Sequence, residues 1–206
     1  MADIPDRRSR RRNETKAEIL AIALDVMAEE GVAGLSLATV ARRLGVRPPS
    51  LYKYFSSRHA VYDALFKKGQ EGYLDATLRA AEPYEPGLAA MGAALEAGAR
   101  WIMANQVLAQ LLFWRPVPGF TPSPEAYAPA LATHEHFTAL IRGAVERGEL
   151  HPDAAGEEGL DLAASLIAGV VSQQLGNQPG VTYEEARFTR LVPRLTRIFA
   201  AAYPPR

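Results

Sequence analysis

The sequence predicts an all-α protein, in which a small N-terminal three-helix unit is joined by a long helix to a larger helical bundle. Apolar residues recur at intervals of three and four, as Ile19, Ile22 and Val26 do, which is typical of amphipathic helices. Capping residues precede such stretches, and glycine or proline ends them. No stretch alternates apolar and polar residues as a half-buried strand does.

The N-terminal unit is expected to follow a basic arm. Residues 1–14 are rich in arginine and contain almost no apolar side chain, so they are predicted to form a flexible arm. Thr15 and Glu18 have the spacing of a capping box, which predicts that the first helix begins there. Gly31 suits the end of that helix, and residues 15–60 are expected to form one domain.

Two short helices come next. Ser36 is a favourable N-cap for the second helix, which Gly45 ends. The residue before a proline avoids the α region, so Pro48 is expected to lie outside the third helix. Pro49 is then expected at the first position of a short helix over residues 49–54.

Residues 61–206 are expected to form a second, C-terminal domain. A long fourth helix, capped by Ser57, leads into it. Further helices are predicted over residues 86–105, 106–113, 125–148, 157–176 and 183–202. A loop rich in proline and glycine covers residues 115–124.

Charge is unevenly distributed along the chain. Basic and acidic residues number 23 each, but residues 1–68 carry 13 basic and 8 acidic side chains, which indicates a polyanionic partner for this part. There is no cysteine, which excludes disulfides and thiolate sites. No apolar run reaches the roughly 18 residues of a membrane helix, so a cytoplasmic protein is expected.

Residues 36–55 have the pattern of a helix-turn-helix, since two short helices meet at a turn that contains Gly45. Val40, Leu44, Val46 and Leu51 are expected to hold the second of these helices against the first. The outer face then consists of Arg47, Ser50, Tyr52, Lys53 and Tyr54. None of them is acidic, as contact with a phosphate-lined groove requires.

Several short motifs occur together here: Glu30-Gly31, Leu44-Gly45-Val46, Ser50-Leu51-Tyr52 and Tyr54-Phe55. In this combination, over about residues 16–65, the sequence resembles the DNA-binding domain of the tetracycline-repressor (TetR/AcrR) family of transcriptional regulators. Ala38 departs from the charged residue of many relatives. Pro48 and Pro49 stand where a polar residue and glycine are common in the family, so base contacts are expected more from Arg47 and Lys53.

The resemblance implies a double-stranded operator with an inverted repeat, bound by a homodimer that pairs through its last two long helices. The expected DNA-binding residues are Arg10, Arg11 and Arg12 in the arm, and Ser36, Thr39, Arg47, Pro48, Pro49, Ser50, Tyr52, Lys53, Tyr54 and Arg58. Ser36 and Arg58 would contact phosphates. The arm precedes the first helix, as does the minor-groove arm of homeodomains.

The C-terminal domain concentrates aromatic residues that line either an effector pocket or a plain core. The candidate ligand-binding residues are Trp101, Gln106, Phe113, Trp114, Phe120, Tyr127, His134, Phe137 and Gln173. His134 and His136 lie about 200° apart around a helix, so they predict no metal site, and no cofactor is expected.

The leading functional hypothesis is a ligand-responsive transcriptional regulator, a repressor released from its operator by a small apolar effector. One alternative is an α-helical enzyme that uses the aromatic pocket, although no nucleophile, metal or acid–base motif supports it. Another is a non-specific architectural DNA binder.

Overall fold

The structure, a computed structural model, describes residues 7–206, and the part of the predicted arm before Arg7 lies outside it. The helices in this range are α1 (Arg7–Glu30), α2 (Leu37–Arg43), α3 (Pro48–Leu51), α4 (Arg58–Ala81), α5 (Leu88–Ala104), α6 (Gln106–Phe113), α7 (Pro124–Glu146), α8 (Glu157–Asn177) and α9 (Val192–Ala202). Residues 7–206 contain no strand, so the predicted all-α class is confirmed.

The chain divides into two compact units. Unit 1 comprises the N-terminal residues up to 69 together with residues 107–126, and unit 2 comprises residues 70–106 and 127–206. The chain passes from unit 1 to unit 2 within α4. Sequence reasoning assigns residues 61–69 and 107–126 to the C-terminal domain, whereas here they cluster with the N-terminal helices.

The core of unit 1 joins α1, α2, α3 and the first half of α4. Its most deeply buried aliphatic members are Ile19, Val26, Met27, Val40, Leu51, Val61 and Leu65. Tyr62 on α4 is also fully buried, and its hydroxyl donates a 2.6 Å hydrogen bond to the carbonyl of Val32. Burial raises the pKa of the Tyr62 hydroxyl above its ordinary value. This bond fixes the turn that precedes α2.

Residues 107–126 pack on α4 through the ring of Phe120. The Phe120 ring lies 5.6 Å from that of Tyr62 and 5.9 Å from that of His59, between centroids. Phe66 completes the aromatic cluster at 6.4 Å. Phe120, a sequence-based candidate for effector contact, therefore packs inside unit 1, because its hydrophobic ring finds an aromatic surface on α4.

The first helix already includes Arg7, the first residue that the structure describes, well before the predicted start at Thr15. Thr15 is not an N-cap, and its hydroxyl donates to the carbonyl of Arg11 at 3.0 Å, within the helix. Arginine has a high helix propensity, and the segment contains neither proline nor glycine. A stable helix over residues 15–30 therefore extends through the arginines at little cost, since propagation needs no new nucleus. Residues 7–14 are helical here, where the sequence predicts an arm.

Pro48 lies inside α3, contrary to the prediction that the helix begins at Pro49. The first N–H groups of a helix have no intrahelical acceptor, so two successive prolines cost no hydrogen bond there. The helix ends at Leu51, and a turn follows in which the N–H groups of Tyr54 and Phe55 both donate to the Leu51 carbonyl.

The core of unit 2 is formed by α5, α7, α8 and α9. Its most buried members are Ala90, Met91, Ala94, Ala99, Ile141, Ala144, Ala154, Val192 and Phe199. Small residues permit close packing, as at Gly98, where an added Cβ would lie 2.9 Å from the hydroxyl of Tyr73. Burial raises the pKa of Tyr73 to about 12.

The last helix starts later than predicted, at Val192 and not at residue 183. Pro193 has no N–H to donate backwards, which favours a helix start at this point. Side chains hold the preceding segment in a non-helical path: the N–H of Phe188 donates to Gln174 Oε1 at 2.7 Å. The guanidinium of Arg100 pairs with Glu184 and lies 4.1 Å from the centroid of the Tyr183 ring.

Candidate nucleic-acid interface

A tight turn joins α2 to α3. Gly45 has a φ of +72°, a conformation that side chains disfavour. The N–H of Val46 donates to the carbonyl of Ala41 at 3.0 Å, and Arg47 then enters α3 in an extended conformation. Leu51 is buried beneath α3, so the opposite face of this short helix is directed outward.

Serine side chains cap the starts of α2 and α4. The N–H of Thr39 donates to Ser36 Oγ at 3.3 Å, which confirms the predicted cap of α2. The N–H of Ala60 donates to Ser57 Oγ at 3.1 Å at the start of α4. Helix starts carry partial positive charge and N–H groups without intrahelical partners, so both favour an anion nearby.

The residues of α3 and the following turn divide cleanly by burial. Leu51 and Phe55 are buried, whereas Tyr52 is 55% exposed. The predicted contact residues Arg47, Pro48, Pro49, Lys53 and Arg58 are exposed, and Ser36, Thr39, Ser50 and Tyr54 are half-buried. The segment therefore presents a basic and aromatic surface on an apolar base.

Part of this surface is an open depression of about 740 Å³. It is lined by Ala33, Gly34, Leu35, Ser36, Leu37, Ala38, Tyr52, Ser56, Ser57 and Arg58. The depression brings together three predicted residues, Ser36, Tyr52 and Arg58, from three parts of the sequence. It adds Ser56 and the backbone before α2, which sequence reasoning missed because no motif marks them. No acidic side chain lines it.

The arginines at the start of α1 differ in their surroundings. Arg10 and Arg11 are exposed on the helix. Arg12 turns towards residues 47–55, which comprise α3 and its flanking turns and are called the recognition segment below. Its Nη2 donates to the carbonyl of Lys53 at 3.1 Å, and its guanidinium carbon lies 6.0 Å from the centroid of the Tyr54 ring. This contact differs from the phosphate contact expected of an arm.

An ion pair fixes α1 to α2 close to this surface. Arg43 on α2 donates through Nη1 to Glu29 Oε1 on α1 at 2.9 Å, and its Nη2 also contacts Glu29 Oε2. The hydrogen bond from Arg43 lowers the pKa of the Glu29 carboxyl. The same bond raises the pKa of Arg43. The pair neutralises Arg43, so the exposed face keeps Arg47, Lys53 and Arg58 as its cations.

The nine candidate ligand-binding residues do not gather in one unit. Phe113, Trp114 and Phe120 belong to unit 1, and Trp101, Gln106, Tyr127, His134, Phe137 and Gln173 belong to unit 2. Phe113, Trp114 and Tyr127 are about two-fifths exposed or more. Aromatic composition alone did not distinguish these different environments.

Within unit 2, the side chains of both candidate glutamines form hydrogen bonds to other groups of the protein. The Gln106 side chain bridges to a loop, because its Oε1 accepts the N–H of Gly180 at 2.9 Å and its Nε2 donates to the Met103 carbonyl at 3.2 Å. Gln173 is exposed on α8, where its Oε1 accepts a hydrogen bond from Asn177.

Trp101 and Phe137 contribute to the interior of unit 2. The Trp101 ring packs edge-on against Tyr73 with centroids 5.7 Å apart, and Phe137 lies against the main apolar cluster. Four buried polar atoms of the described residues have no hydrogen-bond partner, and all four are in unit 2. They are His136 Nε2, Thr138 Oγ1, Thr189 Oγ1 and Thr196 Oγ1. Burial lowers the pKa of His136.

Within residues 7–206, no group of three or more histidine, aspartate or glutamate side chains is arranged to hold a metal ion. In the same range, no helix is both long and apolar enough to cross a membrane.

These features define a helix-turn-helix protein with a second helical unit, and comparison with known proteins agrees. Residues 19–65 match the family model described as bacterial regulatory proteins, tetR family. The chain thus carries the N-terminal domain of the tetR family, and the predicted resemblance is confirmed.

Several similar proteins are described as transcriptional regulators. An HTH-type transcriptional regulator of Mycobacterium tuberculosis is 29% identical over 122 residues, which cover 57% of this chain and 51% of that protein. The chain therefore spans about half the length of this relative. The class A tetracycline repressor of Escherichia coli is 45% identical over 47 residues, covering 23% of this chain and 22% of that one. The TetR-family regulator PfmR of Thermus thermophilus has the same fold, with a TM-score of 0.69, 20% identity and coverage of 89% and 97%.

Proposed function

We propose that this chain is a ligand-responsive transcriptional regulator that binds an inverted-repeat operator as a homodimer and is released by a small effector. The observation that carries the proposal is the exposed surface of α3 and its turn. Arg47, Tyr52 and Lys53 project from a backbone whose apolar residues Leu51 and Phe55 are buried. Such side chains reach base edges in a major groove, while cations and helix starts contact phosphates.

Phosphate anchoring is assigned to the depression between the starts of α2 and α4. Ser36 and Ser57 cap those helices, and Arg58 adds a formal positive charge beside them. A backbone phosphate seated there would accept hydrogen bonds without meeting a carboxylate. The predicted contacts of Arg10 and Arg11 would add further phosphate interactions from the first turns of α1.

Pairing of two copies is assigned to α8 and α9. One face of α8 is exposed along its length and consists mainly of small residues: Ala164, Ser165, Ala168, Gly169, Ser172, Gln173 and Gly176. An added Cβ at Gly169 would meet no heavy atom within 4 Å. Ile198 on α9 is 52% exposed. A two-fold arrangement would bury this surface and place two α3 segments on two half-sites.

The effector is assigned to unit 2, with Trp101 and Phe137 as apolar contacts. His136 Nε2 and Thr138 Oγ1 are buried without partners, and buried polar atoms of that kind are uncommon in native structures. A largely apolar ligand with one polar group would satisfy one of them. Binding there would shift the population towards a form with an unsuitable half-site spacing.

Selection from a random duplex library tests the proposal. Enriched duplexes are expected to contain an inverted repeat and to bind more tightly than a scrambled duplex of the same composition in a fluorescence anisotropy titration. Tyr52→Ala and Lys53→Ala should each weaken binding by about 1–3 kcal/mol per half-site if the side chains contact base edges.

Other results would favour the alternatives. Equal affinity for the selected and scrambled duplexes would indicate an architectural DNA binder. Failure to bind any duplex would sink the proposal. An apolar compound extracted from the purified protein and identified by mass spectrometry should lower the operator affinity when added back. Its conversion to a product by the protein would instead indicate an enzyme.

A further inference from the structure

We propose that Arg12 is a positioning residue for the recognition segment: it braces the backbone from which Tyr52, Lys53 and Tyr54 project, and does not contact a DNA phosphate. The inference rests on the proposed DNA binding and deepens it. The motivating contact joins residues 41 positions apart, through the 3.1 Å hydrogen bond from Arg12 Nη2 to the Lys53 carbonyl.

The recognition segment needs such support because its own helix is very short. α3 has only four residues, Pro48–Leu51, and its first two positions are prolines without an N–H. The Leu51 carbonyl accepts both following N–H groups, from Tyr54 at 2.8 Å and Phe55 at 3.0 Å. The Lys53 carbonyl lies two residues beyond the end of α3, in the turn that the helix itself does not stabilise, and Arg12 donates to it from α1.

Two cations on one face of α1 act together. Arg12 and Lys16 are four residues apart, so they lie on the same side of the helix. The guanidinium of Arg12 lies 6.0 Å from the Tyr54 ring centroid, and Lys16 Nζ lies 5.8 Å from the Phe55 ring centroid. Both distances suit cation–π attraction. The two cations therefore contact the consecutive aromatic residues Tyr54 and Phe55 at the end of this segment.

The helical conformation of residues 7–14 lowers the cost of this contact. If α1 began only at Thr15, Arg12 would lie on a mobile chain. Bracing the Lys53 carbonyl would then cost the ordering entropy of that chain. In the observed helix, the Arg12 backbone is already fixed and only its side chain must be ordered. Arg11 and Arg12 are both exposed, so the hydrogen bond to the Lys53 carbonyl is what distinguishes Arg12, and Arg11 remains available for phosphate contact.

The test compares Arg12→Ala with Arg11→Ala, a matched control that removes the same charge from the neighbouring position. Affinities are measured for the selected and scrambled duplexes over a range of salt concentrations. Arg12→Ala should reduce the preference for the selected duplex about 3- to 10-fold, with an unchanged salt slope. Arg11→Ala should weaken both duplexes alike and reduce the slope by about 0.9 per lost phosphate contact.

Hydrogen exchange of the protein without DNA gives an independent readout. Amides of residues 50–55 should exchange faster in Arg12→Ala and at the wild-type rate in Arg11→Ala. Arg12→Lys keeps the charge without the planar fork, so it should show the wild-type salt slope and regain only part of the protection.

Two results would overturn the inference. One is an Arg12→Ala variant with a smaller salt slope and an unchanged preference, which is the signature of a phosphate contact. The other is unaltered exchange at residues 50–55. If the wild type itself shows no duplex preference, the proposed function fails, while the exchange experiment still decides whether Arg12 braces the segment.

Discussion

Asp63 on α4 holds Ser123, the residue before α7, through two hydrogen bonds. The N–H of Ser123 donates to Asp63 Oδ1 at 2.7 Å, and its hydroxyl donates to Oδ2 at 2.9 Å. Ser123 Oγ in turn accepts the N–H of Ala126 at 3.1 Å, so the cap of α7 is itself anchored. Together with Phe120, this link explains why residues 107–126 belong to unit 1.

Replacing Asp63 should loosen this link. Asp63→Asn keeps one acceptor oxygen, but its NH₂ group cannot accept the second hydrogen bond. The free energy of unfolding is expected to fall by about 1–3 kcal/mol, as for a partly buried bond to a charged group. Urea denaturation measures this change. Glu71→Gln, at an exposed position on the same helix, is the control, and equal losses for the two variants would contradict the prediction.

His136 should make the protein less stable in mild acid. Burial lowers its pKa in the folded state below the ordinary 6.5, so the unfolded chain takes up a proton first as the pH falls. The free energy of unfolding therefore decreases below the unfolded pKa, until the folded pKa is reached. His136→Gln should remove this part of the pH dependence.

The measurement is a comparison of urea midpoints at about pH 8 and about pH 5, on either side of the unfolded pKa. His134→Gln, at an exposed position on the same helix, should retain the wild-type decrease. Parallel pH dependence in the wild type and His136→Gln would show that His136 is not responsible.

Gly159, in the first turn of α8, should not tolerate a side chain. A Cβ there would lie 2.3 Å from the carbonyl oxygen of Ala154, which is backbone and cannot rotate away. Gly159→Ala is expected to cost about 1–3 kcal/mol of stability. Gly92→Ala on α5, where the nearest heavy atom to an added Cβ is Thr196 Oγ1 at an ordinary 3.4 Å, should be neutral or stabilising by up to about 1 kcal/mol. Thermal unfolding of both variants checks the contrast.

Ala168→Arg should prevent pairing without unfolding the chain. Ala168 is exposed on the small-residue face of α8, so the single chain can accommodate the longer side chain, whereas a second copy would bury its charge unpaired. Light scattering is expected to give the mass of a dimer for the wild type and of a monomer for the variant. Ala17→Arg, at an exposed position on α1, should leave the dimer intact. A monomeric wild type at micromolar concentration would refute this prediction.

Much of the fold follows from short-range signals in the sequence. Helical periodicity gives the all-α class, the Ser36 cap locates α2, and Gly45 locates the turn to α3, because these features depend on neighbours within a few residues. The same signals predicted the wrong starting residues for the first helix and the last helix. Thr15 has the spacing of a capping box but lies within α1. The segment after residue 183 has helical periodicity, but contacts with Gln174 and Arg100 hold it in a non-helical conformation.

The sequence by itself determined the class of fold, the helix-turn-helix and the side chains on its outer face, since local propensity and burial pattern specify them. Only the tertiary structure decided what Arg12, Gln106 and Phe120 contact, because their partners Lys53, Gly180 and Tyr62 are remote in sequence. Such contacts depend on where whole helices pack, and no periodicity within one helix encodes the identity of the residue facing it. The arginine tract therefore predicts an arm from its composition, whereas the tertiary structure shows Arg12 hydrogen-bonded to the Lys53 carbonyl.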